Sequence, residues 1–190
     1  MARPRTITDE RLLTAVALVI GRKGPGFTVA DVAELAGVSV GTVAGRFGSK
    51  SGLLQALTKQ VMAGNVERMR AAAAGAADPV DGLRAALLTW FEGMTDPVEA
   101  QNHLAQLGVD LIDPELRALL AELYEATERT VLELTRRVDL PHGPAPERAA
   151  RVLTGLLHGV SMDWSVRPRG ELADRLAQDV DAVLDAWKGR

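Results

Sequence analysis

The residues best placed to do chemistry are "GVSVG", residues 37–41, which fit the G-x-S-x-G pattern of a serine hydrolase with Ser39 as nucleophile. Such a serine stands on a tight turn between a core strand and a helix. The stretch before it, "TVADVAELA", instead spaces its apolar residues by three and four from Val29 to Ala36, which indicates a helix. The pattern therefore lacks the strand it needs and does not predict a hydrolase.

No other group of residues suggests an enzyme. The histidines, His103, His142 and His158, carry no local signature of a catalytic triad, and His103 has no metal-binding partner at helical spacing. The absence of cysteine removes disulfides and thiolate sites and fits a reducing cytosol. No stretch approaches the roughly 18 apolar residues of a membrane span, and the N-terminus has no apolar signal region. We therefore expect a cytoplasmic protein that is not an enzyme, needs no cofactor or metal and does not enter a membrane.

Charge is distributed unevenly along the chain. The 190 residues carry a net charge of -3, which taken alone argues against a nucleic-acid ligand. Residues 1–50, however, hold seven Lys and Arg against four acids, whereas the remaining 140 residues have a net charge of -6. A basic front and an acidic body favour a polyanion partner at one end, with Arg3 and Arg5 as a possible arm. A solvated surface of chance composition is the alternative.

Helical periodicity runs through nearly the whole chain, and alternating β-branched segments are missing, so the predicted fold is all-α with about nine helices. The first three helices are expected at Thr8–Arg22, Val29–Ala36 and Val40–Phe47. Gly37 suits the left-handed position after a helix end, and Ser39 suits the cap of the next helix. Two short helices joined so tightly form a helix-turn-helix.

The rest of the chain predicts a larger helical bundle. The expected helices are one from Ser49 that fades into the alanine-rich stretch at residues 71–79, then 80–95, 98–108, 114–138, 146–166 and 170–187. We therefore divide the chain into a three-helix helix-turn-helix head at residues 1–50 and a ligand-binding and dimerisation bundle at residues 51–190.

A helix-turn-helix reads DNA by placing its second helix in the major groove while the first lies across the backbone. Its packing needs a small residue between the helices, a turn glycine and an apolar anchor, and Ala33, Gly37 and Val43 hold those places. Residues 11–57 resemble the N-terminal domain of TetR-family transcriptional regulators. The matching motif residues are Thr28, Ala36 to Ser39, Gly41, Thr42, Phe47, Ser49, Lys50, Leu53 and Leu54.

This resemblance implies DNA contacts on and beside the second helix of the motif. Carried over to this sequence, phosphate contacts fall on Thr28, Thr42, Arg46 and Lys50, and Val40 and Gly45 face base edges. Ser39 and Gly41 complete the set of DNA-binding candidates. Thr28 and Ser39 serve equally well as plain helix caps, and Lys50 as a solvated surface residue. Ala44 stands where the family usually has an aromatic residue, so we expect weaker base reading than is usual.

For the remainder, the resemblance implies a ligand cavity and a dimer interface. Candidate cavity residues combine thioethers, aromatic rings and polar tips suited to an apolar organic ligand: Met62, Asn65, Met69, Trp90, Phe91, Met94, His103 and Tyr124. Candidate interface residues form two apolar stripes: Leu153, Leu156, Leu157, Val160 and Trp164, then Leu176, Val180, Val183, Leu184 and Trp187. Both sets have a simpler alternative as internal core.

The resemblance thus implies a bacterial homodimeric repressor that holds a pseudo-palindromic operator in double-stranded DNA and is released from it by a small-molecule effector. An all-helical enzyme or adaptor that uses the helix-turn-helix only for packing remains the alternative from the residues alone.

Overall fold

The computed structural model describes residues 7–189, and all of its regular secondary structure is helical, so the predicted all-α class is confirmed for that part of the chain. These residues form nine α-helices and two 3-10 turns, Gly24–Gly26 between α1 and α2 and Thr89–Phe91 between α5 and α6. The helices are α1 Asp9–Lys23, α2 Val29–Ala36, α3 Val40–Phe47, α4 Lys50–Ala74, α5 Pro79–Leu88, α6 Pro97–Asp110, α7 Pro114–Thr135, α8 Pro146–Val166 and α9 Leu172–Lys188. Arg3 and Arg5 lie outside the described residues.

Most predicted boundaries agree with the structure to within two or three residues, and those of α2, α3 and α8 agree fully. The exception is α5, which was expected to reach residue 95 but ends at Leu88. There the chain tightens into the second 3-10 turn and then bends at Gly93, whose φ of 85° is left-handed. This bend breaks a run of apolar residues that would otherwise read as one continuous helix.

The first core lies among α1, α2 and α3, and we call these three helices with their core the head. Phe27 lies at the centre of this core and is 1% exposed, and Val43 of α3 is fully buried. Leu53 and Leu54 from the start of α4, together with Leu116 of α7, complete the same core. The packing of the head therefore extends past residue 50, so α4 begins inside the head and runs out of it.

The second core, which we call the body, is formed by the end of α4 and by α5, α7, α8 and α9. Met69 brings α4 into this core, and Trp164 of α8 is almost fully buried there. The indole Nε1 of Trp164 donates to the carbonyl of Gly170 at 2.9 Å, which satisfies its one polar group and fixes the α8–α9 turn. Since α4 contributes to both cores, it is a rigid connection between head and body.

A second connection between the two cores is made by α6, which packs against α1 and the first 3-10 turn on one side and against α8 on another. The amide Nδ2 of Asn102 donates to the carbonyl of Gly21 at 2.7 Å, and Nε2 of Gln101 donates to the carbonyl of Ser165 at 2.9 Å. A movement of α6 relative to the body must therefore also disturb the end of α1.

Over residues 7–189, none of the helices combines the length and the apolar character that crossing a membrane requires. Within the same range no group of three or more His, Cys, Asp and Glu residues is arranged to hold a metal ion.

Candidate DNA interface and ligand cavity

The start of α2 is fixed by a reciprocal cap. Thr28 Oγ1 accepts from the backbone N–H of Asp31 at 3.2 Å, and Asp31 Oδ2 accepts from the N–H of Thr28 at 2.8 Å. The ammonium of Lys23 donates to the other oxygen of Asp31 at 2.6 Å. Hydrogen bonds from Lys23 and Thr28 lower the pKa of Asp31 from 3.8 to about 2. Thr28 is exposed, so its capping role leaves it accessible from outside.

The "GVSVG" motif forms the turn between α2 and α3 and the start of α3. Gly37 ends α2 in the left-handed conformation, with φ 69° and ψ 35°. Ser39 Oγ accepts from the backbone N–H of Thr42 at 3.1 Å and lies 2.9 Å from the Thr42 hydroxyl. Ser39 is thus an N-cap preceded by a helix, with no strand before it, and the motif is a structural turn.

The outer face of α3 is shallow and exposed. Val40 is 48% exposed, and Gly41, Ala44 and Gly45 lie on the same surface, while Val43 points into the head. A Cβ added to Gly45 would meet nothing within 4 Å, so the packing of the head does not require glycine there. The small residues leave the α3 backbone free to come close to a flat partner.

Arg46, at the end of α3, has partners within the head. Its Nη1 donates to the carbonyl of Ile7 at 2.5 Å and to Asp9 Oδ1 at 2.8 Å, which ties α3 to the start of α1. A guanidinium carries five N–H donors, and these two bonds use only Nη1. Nε and Nη2 make no hydrogen bond within residues 7–189, so the predicted phosphate contact is still compatible with this geometry.

Lys50 has a different environment from the exposed phosphate contact that the resemblance implied. Its Nζ donates to the carbonyls of Pro25 and Phe27 at 2.6 and 2.7 Å, and it lies 4.1 Å from the centroid of the Phe27 ring. The ammonium therefore holds the start of α4 against the first 3-10 turn. Two of its three donors are used inside the protein, so Lys50 positions the head, and its phosphate contact stays a prediction that rests on the third donor.

A cavity of about 240 Å³ lies in the body between α6, α7, α8 and the second 3-10 turn. Five of the predicted cavity residues line it: Trp90, Phe91, Met94, His103 and Tyr124. The other three predicted residues do not line it. Met69 is packed in the body core, Asn65 accepts a hydrogen bond from Arg68, and Met62 is half-buried on α4 away from the cavity.

Sequence reasoning missed the contribution of α8 to this cavity. His158, Ser161 and Ser165 all line it, at spacings of three and four that put them on one helix face. The signal was available, since these polar residues interrupt an apolar stripe along α8. A larger surface cleft, about 410 Å³, lies between α4, α5 and α7, but alanines and charged side chains form most of its wall and it has no aromatic residue.

The polar side chains of the cavity have few partners. The imidazole of His158 stacks on the ring of Tyr124 with centroids 4.7 Å apart, and Trp90 meets the same imidazole edge-on at 5.6 Å. Burial lowers the pKa of His158 and raises the pKa of Tyr124. Neither the imidazole of His158 nor the hydroxyl of Tyr124 makes a hydrogen bond to any residue in the described range.

The expectation that His103 has no partner at helical spacing is wrong, because Glu99 precedes it by one turn of α6. Glu99 Oε1 lies 3.7 Å from His103 Nε2. Burial lowers the pKa of His103 and outweighs the raising effect of Glu99. The pair stands at the edge between the cavity and the seam with α1, where a Cβ on Gly21 would clash with the Glu99 side chain.

The predicted dimer stripes are mostly internal. Within the single chain, the buried members are Leu153, Leu157, Val160, Trp164, Leu176, Val180 and Leu184. The remaining three, Leu156, Val183 and Trp187, are partly buried against the same core. The seven buried side chains belong to the internal core, which is the alternative that the sequence left open for them. For the three partly buried side chains, the subunit contact stays a prediction.

A different face of α8 is exposed and apolar. Val152 is 43% exposed, and Met162 and Val166 are also exposed large apolar residues. Gly155 and Gly159 lie between them, and a Cβ on either would meet nothing within 4 Å. We call these five residues the outer α8 stripe. Their steps of three and four make one continuous face along the helix.

Comparisons with known proteins agree with this architecture. A family model described as bacterial regulatory proteins, tetR family, matches residues 12–57, and one described as BetI-type transcriptional repressor, C-terminal, matches residues 79–187. The HTH-type transcriptional regulator BetI of Paraburkholderia xenovorans is 33% identical over 164 residues, which cover 82% of this chain and 80% of that protein.

Solved structures of regulators share the fold. Escherichia coli NemR in its reduced form superposes with a TM-score of 0.75 at 17% identity, covering 93% of this chain and 97% of that one. A transcriptional regulator from Rhodococcus sp. Rha1 superposes with a TM-score of 0.73 at 22% identity, covering 96% of this chain and 95% of that one. At these identities the likeness extends to the fold alone.

Proposed function

The chain belongs to the TetR family of bacterial regulatory proteins and is a DNA-binding transcriptional regulator, and from that premise we propose that it acts as a homodimeric repressor released by a small organic effector. The main support for the proposal is the position of α6. One face of this helix lines the cavity, and another holds the end of α1 through Asn102 and Gly21.

In the DNA complex, α3 enters the major groove with its shallow face toward the bases. Val40, Gly41 and Gly45 then face base edges, and Ala44 provides no hydroxyl for a phosphate. Thr28, Ser39, Thr42 and Arg46 stand around this face and contact phosphates. Few side chains reach the bases, so phosphate contacts and the shape of the duplex supply most of the affinity.

The proposed dimer forms through the outer α8 stripe. Its three apolar side chains are exposed in the single chain, and its two glycines let a second helix approach closely. A symmetric dimer would place two α3 helices about 34 to 36 Å apart, one turn of DNA, over a pseudo-palindromic operator.

Effector release follows from the two connections between head and body. A ligand that prefers a shifted α6 moves the end of α1 through Asn102, while α4, which is part of both cores, changes its angle with it. The change in operator affinity cannot exceed the ligand's own preference for the shifted state.

The test measures oligomeric state and DNA binding together. Operator sites are first selected from random DNA, and affinity is followed as salt rises; a steep loss is expected because phosphates dominate. Val152→Asp should turn the dimer into a monomer and lower operator affinity. Val98→Asp is the matched control, since Val98 is 59% exposed on α6 and the substitution adds the same charge.

Two results would contradict the proposal. If the Val152→Asp protein stays dimeric, the outer α8 stripe is not the dimer interface. If operator affinity does not change with salt concentration, phosphate contacts are not the main source of affinity.

A further inference from the structure

We infer that the cavity selects an uncharged, flat ligand of about two fused rings that carries a hydrogen-bonding group, held by Tyr124 and His158. This inference rests on the proposed effector role of the cavity and adds the chemical class of the effector. Charge, shape, size and unused hydrogen bonds in the cavity each lead to it.

Charge is the first argument. Within the described part of the chain, none of the residues lining the cavity is Asp, Glu, Lys or Arg. Burial lowers the pKa of both His103 and His158, which keeps these imidazoles uncharged near neutral pH. An anion would leave water without a counter-charge on the wall, which is costly, and a cation would meet only aromatic faces, since Glu99, the carboxylate beside His103, is not part of the wall. An uncharged ligand avoids that cost.

Shape is the second argument. The ring of Tyr124 and the imidazole of His158 lie nearly parallel, with 27° between their planes, and Trp90 stands at 76° to that imidazole. Together they form an aromatic corner with a flat floor and a perpendicular wall. A flat ring fits such a corner by stacking on one surface and meeting the other edge-on.

Size is the third argument. An apolar cavity of about 150 Å³ is enough to hold one benzene ring. The volume here, about 240 Å³, is larger than that and smaller than the usual drug-sized pocket of roughly 300 Å³ or more. One fused two-ring system fits this range, while the flexible thioether of Met94 on the wall can adjust to its outline.

Unused hydrogen bonds are the fourth argument. Ser161 Oγ donates to the carbonyl of His158 at 3.1 Å, and Ser165 Oγ donates to the carbonyl of Ser161 at 2.8 Å, so both hydroxyl protons are used within α8. The Tyr124 hydroxyl and the His158 imidazole have no such partner among residues 7–189. A neutral imidazole offers one donor and one acceptor, so a ligand hydroxyl or ring nitrogen can satisfy these groups.

The first experiment measures the binding of five matched two-ring compounds to the full chain by calorimetry near neutral pH. Naphthol and quinoline are neutral and form hydrogen bonds, naphthalene is neutral and forms none, N-methylquinolinium is a permanent cation, and naphthoate is an anion. Naphthol or quinoline should bind at least about tenfold more tightly than either ion. Equal or tighter binding of an ion, or no binding by any of the five, would overturn the inference.

The second experiment uses Tyr124→Phe and His158→Phe, which keep a ring and remove the hydrogen-bonding group. Naphthol affinity should fall about three- to tenfold in each, while naphthalene affinity stays the same and shows that the cavity is intact. His142→Phe is the matched control, because His142 is exposed and lies outside the cavity. Unchanged naphthol binding in both cavity variants would overturn the hydrogen-bonding role.

A DNA-release assay separates this inference from the proposed function. Tight cavity binding of naphthol with no effect on operator affinity would leave the ligand class standing and overturn the effector role. Release of the protein from DNA by an ion, but not by the neutral compounds, would support the effector role and overturn the ligand class.

Discussion

Several polar side chains of the head are hydrogen-bonded within the protein, whereas two polar side chains of the cavity are not. In the head, Thr28, Asp31 and Lys50 are all hydrogen-bonded to other parts of the head. In the cavity, Tyr124 is 38% exposed and His158 is half-buried, and neither side chain has a hydrogen-bonding partner within the described residues. The head therefore has its shape before it meets DNA, whereas the cavity keeps hydrogen-bonding capacity for a molecule from outside.

This difference fits the division of work between the two regions. A reading head benefits from a fixed geometry, because any ordering during binding would reduce affinity. In the proposed effector role, the unpartnered polar groups of the cavity are available to bind the ligand, and the ligand acts only if it binds one state more tightly than the other. The four predictions below test this contrast, from the largest expected effect to the smallest.

The largest effect is expected from removing a ring in each region. Phe27→Ala empties the centre of the head core and should lower the free energy of unfolding by about 3–5 kcal/mol. Phe91→Ala removes a half-buried ring from the cavity wall and should cost less than half as much, since the site is already partly open. Urea unfolding of both variants gives the comparison, and equal costs would mean that the cavity is as tightly packed as the head.

A smaller effect is expected from Lys50→Met. The substitution keeps the apolar stem but leaves the carbonyls of Pro25 and Phe27 without their donor, so the free energy of unfolding should fall by about 1–3 kcal/mol. Lys59→Met on the exposed side of α4 is the matched control and should change little. His158→Phe should not lower stability, because no partner in the protein is lost; a large loss there would break the contrast.

Arg46 in the head retains free donors on Nε and Nη2, and the effect of removing them should appear in DNA binding. Arg46→Ala should weaken binding about tenfold on every sequence and lower the slope of log affinity against log salt by about one per head. Arg129→Ala, on the exposed surface of α7, is the control. A loss confined to one base position would contradict the phosphate role and point to base reading by Arg46.

The smallest effect is expected in the pH dependence of Asp31. Its pKa is lowered from 3.8 to about 2 in the folded protein, so the stabilisation is present above pH 3.8 and is lost as pH falls toward 2. The stability difference between the parent and Asp31→Asn should be constant near neutral pH and shrink through this window. Thermal unfolding across that range measures it, and a difference that does not depend on pH would show that the carboxylate charge is not what holds the cap.

The helical architecture was predictable because its determinants are local. Caps such as Ser39, the turn glycine Gly37 and the spacing of apolar residues act within a few positions of the chain, and they located α2 and α3 to the residue. Five of the eight predicted cavity residues also line the cavity. On α8 the interruption of the apolar stripe marks a polar face in the sequence, but only packing against α6 and α7 brings that face to the cavity.

The outward or inward direction of an apolar stripe was decided by tertiary structure alone. The sequence determined that α8 is an amphipathic helix, since periodicity depends only on spacing. It did not determine whether Leu153 or Val152 faces solvent, because both sides of α8 carry apolar residues and the positions of α5, α7 and α9 select which side is covered. For the same reason Lys50 looked like a surface cation: its two carbonyl partners lie more than 20 positions earlier in the chain, and only the folded head brings them to its ammonium.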